Sequence, residues 1–362
     1  MDDVIDRAWD AMLAAVLKKR TTTRSGIGDE IHLFVPQSRL LSLVEADSAI
    51  PRLVYTSARD SARRNAATIM NKLGMPADYF WKFEYWPKTR AFTTLEKIVE
   101  RVFSSIMRQA NEGELKITGL SVDPLEIDIS FNDCAECAGI SGIDQGMCFY
   151  HAGTFSGILS GLIHRDLEGF ETECRAAGNA ICRFTVYDSK EGGFDKEQEA
   201  YLSFPAPGID IPARLRDALT GAEARKPGNM VDIGYLQLAM ANTLLTDPET
   251  YARVSYEAGL KLGKQLAPVL RDFFDTPDIQ TIAEYYLRMG AFHAEVNGDI
   301  SGIMFVISEC AESAGAANNP EMTAFLAGEL QGLLSELMET EMKPEEMRFE
   351  NETILITFVP AG

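Results

Sequence analysis

Histidine is scarce in this chain: four residues, at 32, 151, 164 and 293, too scattered to form a ligand pair, so histidine-centred chemistry is not its theme. Long apolar runs are missing as well. The longest mostly apolar stretch, Ala152 to Ile163, falls short of the ~20 residues that a membrane-spanning helix needs. The acidic start Met1-Asp2-Asp3-Val4-Ile5-Asp6 is not followed by a signal-peptide core, so the expected address is the cytoplasm. No G-x-G-x-x-G follows a strand, and neither a Walker sequence nor a recognisable helix-turn-helix is found, so no dinucleotide, nucleotide or DNA site can be named. Basic residues are outnumbered 34 to 54, a formal net charge of -20. Such a surface repels phosphate backbones and anionic lipid, which argues against direct nucleic-acid binding and favours a protein as any partner.

What is present is the composition of an ordinary globular protein, 46% hydrophobic and 24% charged over 362 residues, long enough for two cores. Six cysteines in a chain with this expected address fit metal binding plus buried thiols better than a disulfide framework. Cys148, Glu171, Cys174 and Cys182 are the notable set. Glu171 and Cys174 stand three apart, so on one helical turn they would share a face. Ala177-Gly178-Asn179-Ala180 reads as a turn that folds Cys182 back toward Cys174 at the head of an alternating strand, Ile181 to Val186. Cys148 precedes a helical run from near Tyr150. Three thiolates and one carboxylate fill a tetrahedral zinc shell and leave no open position, the pattern of a structural site, one per chain. The plainer alternative is three buried cysteines and a surface glutamate.

An internal repeat organises the rest. Asp133-Cys134-Ala135-Glu136-Cys137-Ala138-Gly139 recurs as Glu309-Cys310-Ala311-Glu312-Ser313-Ala314-Gly315 at an offset of 176. Ala152-Gly153, Gly157, Leu159-Ser160 and Leu162 recur as Ala327-Gly328, Gly332, Leu334-Ser335 and Leu337 at an offset of 175. Upstream, Ile31 to Val44 faces Val231 to Leu244 at an offset near 200, so the first copy is longer by about 24 residues. The extra length falls around the aromatic block 79–87, which is either a lid or a loop packed on its own domain. The expected domains are a first module at 1–190, a linker at 191–207 and a second module at 208–362. Helices are expected at 5–17, 58–73, 95–109 (with Thr93 and Glu96 as a capping box) and 211–219. Leu125, Ile127, Ile129 and Phe131 alternate with polar residues as a half-buried strand, with 298–307 as its looser counterpart. Gly153, Gly157 and Gly161 form a smooth helical stripe, read as tight helix packing ahead of a pocket wall.

The second copy lacks the metal set. Thr323 falls at the place of Cys148, Glu345 or Glu346 near Glu171, Arg348 near Cys174 and Leu355 or Ile356 near Cys182. Cys134 and Cys137 form a C-x2-C pair, a weak sign of a metal or redox site. Because copy two keeps only Cys310 of such a pair, a buried thiol at Cys134 and an incidental Cys137 are preferred. Glu136, which recurs as Glu312, reads as a brace for the following turn rather than a catalytic acid.

The C-x22-E-x2-C-x7-C spacing, with Gly153, Ser156 and Gly157 after Cys148, resembles the 4-vinyl-reductase (V4R) domain. That family takes in the sensor modules of phenol-responsive activators, bacteriochlorophyll-synthesis proteins and archaeal hydrocarbon-binding proteins, and its fold is related to that of vesicle-tethering subunits. The resemblance implies an α+β fold of two tandem modules, each an antiparallel sheet packed with helices, arranged as an intramolecular pseudo-dimer. Zinc at Cys148, Glu171, Cys174 and Cys182 is implied likewise. In the phenol sensors an aromatic residue near the end of the strand before the first zinc cysteine lines the pocket, and Phe131 is its match here. Tyr150 is a further ligand-binding candidate, or a core tyrosine. The expected function is therefore binding of a hydrophobic, aromatic or hydrocarbon small molecule, as a sensor or carrier acting through a separate protein partner. A tetrapyrrole vinyl reductase and an assembly scaffold are the alternatives. For the enzyme the sequence offers little, since a zinc shell filled by protein cannot activate water.

Overall fold

The computed structural model describes residues 24–72, 88–189, 196–204, 208–222, 225, 228–234, 248–275, 277–311, 323–350 and 353–362. The expected helix at 5–17 and the aromatic block 79–87 lie outside them. In chain order the elements are β1 (Glu30–His32), α1 (Phe34–Ala46), α2 (Ile50–Lys72) and α3 (Lys88–Ile98), which runs through a π-helical stretch (Val99–Phe103) into α4 (Ser104–Gln109). There follow β2 (Glu114–Val122), β3 (Leu125–Asn132), α5 (Phe149–Ile163), β4 (Leu167–Glu173), β5 (Cys182–Asp188), α6 (Lys196–Leu202) and α7 (Ile211–Leu219). Last come β6 (Met230–Asp232), α8 (Pro248–Phe273), α9 (Ile279–Arg288), β7 (His293–Asp299), β8 (Gly302–Ser308), α10 (Ala324–Leu337), β9 (Met342–Glu350) and β10 (Thr353–Pro360). None of the described helices is long and apolar enough to cross a membrane.

The chain forms two compact units. The first contains Pro51–Phe204; the second contains Thr22–Ile50 and Pro205–Gly362. Residues 24–50, which chain order alone assigns to the first module, thus pack with the second. Within that unit β1 pairs antiparallel with β6, and Ile31 stands opposite Val231. The side chain of Arg24 holds this corner by donating to the carbonyls of Gly290, at 2.7 Å, and of Glu30, at 2.9 Å. The interval expected to be a linker contains α6, and its Tyr201 and Leu202 are buried, so packing continues to Phe204.

Each unit holds a four-stranded antiparallel sheet, and both have the same order. The first is β2-β3-β5-β4 and the second β7-β8-β10-β9, each with one long helix between its second and third strands. Leu125, Ile127, Ile129 and Phe131 are buried on one face of β3, as their alternation predicts. The counterpart stretch at 298–307 is broken by a turn between β7 and β8. Thr93 and Glu96 lie inside α3, which already begins at Lys88, so they do not start a helix. In β10 only Ile354, Ile356 and Phe358 enter the core, because a strand buries every second residue.

The glycine stripe of α5 packs against α2. A methyl group at Gly153 would lie 2.2 Å from the carbonyl oxygen of Tyr55, and one at Gly157 2.1 Å from that of Arg59. The second unit repeats the arrangement: methyls at Gly328 and Gly332 on α10 would lie 2.1 and 2.3 Å from the carbonyl oxygens of Tyr256 and Leu260 on α8. Tight packing, rather than a pocket wall, therefore accounts for these glycines. In the first unit the pair is also tied to β4, since the Tyr55 hydroxyl donates to Glu168 at 2.6 Å and Arg59 forms an ion pair with the same carboxylate. Helix α5 is thus fixed along its length, and its first turn carries the site.

Candidate metal centre

Three passages of the chain meet at the N-terminal end of α5. The first is the loop after β3. Phe131 is opposite Cys182 in the β3–β5 ladder, and the chain leaves the sheet at Asp133, whose φ of 51° turns it sharply. Cys134 and Cys137 therefore come back beside the start of β5. The second passage is Cys148 itself, at the N-cap of α5. The third is the β4–β5 connection, which supplies Glu171, Cys174 and Cys182.

Glu171 lies on a strand, not on a helical turn. It faces Phe184, whereas Glu173 faces Arg183, so a bulge at Thr172 breaks the alternation. The extra residue turns Glu171 inward and leaves Glu173 outward, although regular alternation would put both on one face. Cys174 follows immediately, and the next residues wind back in a tight turn. The Cys174 carbonyl accepts from the backbone N–H of Ala177 and of Asn179, each at 3.1 Å, and from the Asn179 side chain at 3.2 Å. This is the turn that returns the chain to Cys182.

One donor atom from each of Cys148, Glu171, Cys174 and Cys182 lies within 4.8 Å of all the others, and every one of these residues is buried. A second group meets the same limit: Cys134, Cys137, Cys148 and Cys182. The Sγ atoms of Cys134 and Cys148 are 3.6 Å apart and those of Cys137 and Cys182 are 3.4 Å apart. All six cysteines are free thiols. Cys137 is thus not incidental, and the sequence hid it. Its neighbour across the cluster is set by the β3–β5 register, which no local spacing encodes; the C-x2-C pair was the available signal.

Two carboxylates satisfy the first amides of α5. Glu171 Oε2 accepts the backbone N–H of Cys148 at 3.0 Å. Glu136 accepts those of Tyr150 and His151 at 2.9 and 3.1 Å, and its Oε2 is 2.8 Å from His151 Nδ1. Glu136 is thus a brace, as its sequence context suggested, and negative charge sits at the positive end of the helix. Gly146 makes room for Glu171, since a methyl group there would come within 2.6 Å of Oε2. Glu171 Oε1 is left buried, with no hydrogen-bond partner among the described residues. A buried carboxylate oxygen in that state costs stability unless a cation or donor meets it.

The buried donors of the cluster shift in opposite directions. Burial, and then the neighbouring Cys182, Cys174 and Cys134, push the Glu171 carboxyl well above its usual range. Cys134 is buried, which by itself raises a thiol, yet hydrogen bonds from Cys137, Cys148 and Cys182 bring it well below the ordinary value. At Cys182 the influence of Cys134 is upward, but hydrogen bonds from Cys137, Cys148 and Cys174 outweigh it and lower the thiol to about 5. The Cys134 hydrogen bond pushes Cys137 well up and burial pushes Cys148 well up. Thiolates are the metal-binding form, so the downward shifts at Cys134 and Cys182 favour ligation, whereas Glu171, Cys137 and Cys148 need a cation beside them to ionise.

Phe131 and Tyr150 both flank this cluster. The Phe131 ring is 4.6 Å from His151 and 5.1 Å from Phe155, which in turn meets Phe184 edge-on at 4.9 Å. Tyr150 meets His151 at 5.3 Å. Both residues are buried. From the far side Tyr201 and Phe204 pack on Phe149, at 5.1 and 5.3 Å. The polar and proline-rich sequence around these two aromatics masked their part in the site.

Among known proteins, an uncharacterised protein of Methanocaldococcus jannaschii is 27% identical over 160 residues, which is 44% of this chain and 78% of that one. A second uncharacterised protein of the same organism is 30% identical over 71 residues, and this chain spans only 43% of its length. Two solved structures resemble parts of the chain. The phenol-responsive sensory domain of the transcription activator PoxR, solved with phenol, is 15% identical, covers 48% of this chain and 83% of its own, and has a TM-score of 0.33. A trafficking protein particle complex subunit 3 from Naegleria fowleri, covalently bound to palmitic acid, is 12% identical, covers 52% and 94%, and has a TM-score of 0.30. Residues 127–187, which contain Phe131, Tyr150 and all of Cys134, Cys137, Cys148, Glu171, Cys174 and Cys182, match the V4R domain family.

Proposed function

We propose that this chain is a small-molecule-binding protein of the V4R kind, a sensor or carrier, whose first unit is fixed by a structural zinc ion at Cys148, Glu171, Cys174 and Cys182. The observation that carries the reading is the convergence of those four buried donors inside the segment that matches the V4R domain. Glu171 Oε1, buried without a protein partner among the described residues, fits a metal ligand. With four protein donors the shell is closed, so zinc here would lock the helix start to the β4–β5 turn and would not activate water. The ligand we assign is hydrophobic or aromatic, with Phe131 and Tyr150 as the side chains that would meet it. Any signal would pass to a separate protein partner.

We infer further that the two units are tandem copies of one module. Their sheets share one strand order, and Cys148 and Thr323 occupy the same position, the N-cap of the long helix. Copy two would then have apolar packing where copy one has metal.

Native mass spectrometry of the full chain, compared with the spectrum under denaturing conditions, tests this reading. Bound zinc and a retained hydrophobic molecule are expected. Cys174→Ser should lose zinc and lower the stability of the first unit, because structural zinc binding is coupled to folding, while Thr323→Ala should leave zinc content unchanged. Equal zinc content in the two variants would overturn the assignment.

A further inference from the structure

The two buried donor groups share Cys148 and Cys182. From this we propose that the cluster holds two metal ions bridged by the thiolates of those residues. The second ion would be held by Cys134, Cys137, Cys148 and Cys182. The proposal rests on the zinc reading for the first ion and adds a second position beside it.

The geometry supports a whole shell for the added ion. Around a tetrahedral zinc with Zn–S bonds of about 2.3 Å, sulfur atoms stand roughly 3.8 Å apart. The Sγ separations of 3.6 Å for Cys134–Cys148 and 3.4 Å for Cys137–Cys182 are close to that edge, and all four sulfurs lie within 4.8 Å of one another. One edge therefore joins Cys134 to a shared ligand and another joins Cys137 to the other shared ligand. Each ion would have two terminal donors, Cys134 and Cys137 for one and Glu171 and Cys174 for the other, and both would use the two bridges. No donor is left over, and no position is open.

Charge leads to the same arrangement. Two additional thiolates and one additional divalent cation cancel, so the second ion enters the buried cluster without changing its formal charge. Thiolate sulfur has lone pairs enough to bridge, and soft sulfur donors select zinc among the common divalent ions. Disulfides fit less well. Bonds between Cys134 and Cys148 and between Cys137 and Cys182 would remove both shared ligands and strand Glu171 and Cys174 in the interior with half a shell.

The test begins with the wild-type full chain purified without oxidant. Zinc is counted by native mass spectrometry, then exchanged for cadmium-113 and read by its nuclear resonance. Two ions per chain are expected, with two cadmium resonances split by coupling through the bridging sulfurs. The double variant Cys134→Ser and Cys137→Ser should keep one ion and one unsplit resonance. A wild-type chain with one ion and one resonance would overturn the proposal; if that ion also persisted in the double variant and vanished in Cys174→Ser, the single-zinc reading would stand. A wild-type chain without metal would sink both readings, and a mass lower by the hydrogens of two disulfides would replace them. Because the wild-type spectrum decides the number of ions, the outcome does not depend on whether the double variant folds.

Discussion

Gly157→Ala sets two effects against each other, and the structure decides between them. Alanine is the better helix former by about 1 kcal/mol, so a free helix would gain stability. In α5 the new methyl would lie 2.1 Å from the carbonyl oxygen of Arg59 and 2.9 Å from the Ala62 Cβ, where ordinary contact begins at 3.4 Å. The blocking atom belongs to the backbone of α2, so no rotamer change relieves the overlap. The helices must part locally by about 1.3 Å. Overpacking of this kind costs about 1–3 kcal/mol, and a backbone obstacle places it at or above the upper end. A gap of about 1 Å also forfeits up to roughly half of each dispersion contact along the seam. The net expectation is a loss of about 2 kcal/mol from the first unit despite the gain in propensity. Hydrogen exchange of α2 and α5 peptides against urea reads this separately from the second unit. A second replacement, Gly153→Ala, should cost less when added to the first, since the helices will already have separated. Gly208→Ala, where a methyl meets nothing within 4 Å, is the control. An unchanged or raised urea midpoint for the α5 peptides in Gly157→Ala would refute the packing argument.

Two further expectations concern single groups. Burial, and then the charge of Arg214, lower His32 to about 4 from an ordinary 6.5, and its Nδ1 accepts the Phe34 N–H at 3.2 Å. Between those values the unfolded chain binds a proton that the folded one refuses, so this residue makes the second unit less stable as pH falls from 6.5 toward 4. Urea midpoints at pH 7 and pH 5 should therefore differ more in the wild type than in His32→Gln, and equal differences would exclude His32 as the cause. At Tyr201 the buried hydroxyl has no partner among the described residues, and an unsatisfied buried hydroxyl costs about 1–3 kcal/mol. Tyr201→Phe should raise the stability of the first unit by about 1 kcal/mol in the same exchange assay; a drop would show that the hydroxyl is bonded to something else.

Several features were legible in the sequence because they depend on neighbours along the chain. The alternation of Leu125, Ile127, Ile129 and Phe131 produced a half-buried strand, since side chains on a strand point to opposite faces in turn. The glycines at intervals of four implied a close helix contact before α2 was known to provide it. The turn at 177–180 returned the chain to Cys182. The spacing of Cys148, Glu171, Cys174 and Cys182, together with the resemblance it carries, was enough to pick out four residues whose donors lie within 4.8 Å of one another.

Tertiary structure decided the rest, through ladder register and long-range packing. Glu171 faces inward because a bulge at Thr172 breaks the strand, although a spacing of three suggested a helical turn. Cys134 and Cys137 join the cluster because Phe131 pairs with Cys182, a relation across 51 residues that local pattern cannot hold. Residues 24–50 pack with the second unit because β1 finds its partner in β6, 200 positions away. Sequence by itself determined which residues could ligate, bury or turn; only the fold determined which of them meet, because contact depends on strand register and helix packing rather than on distance along the chain.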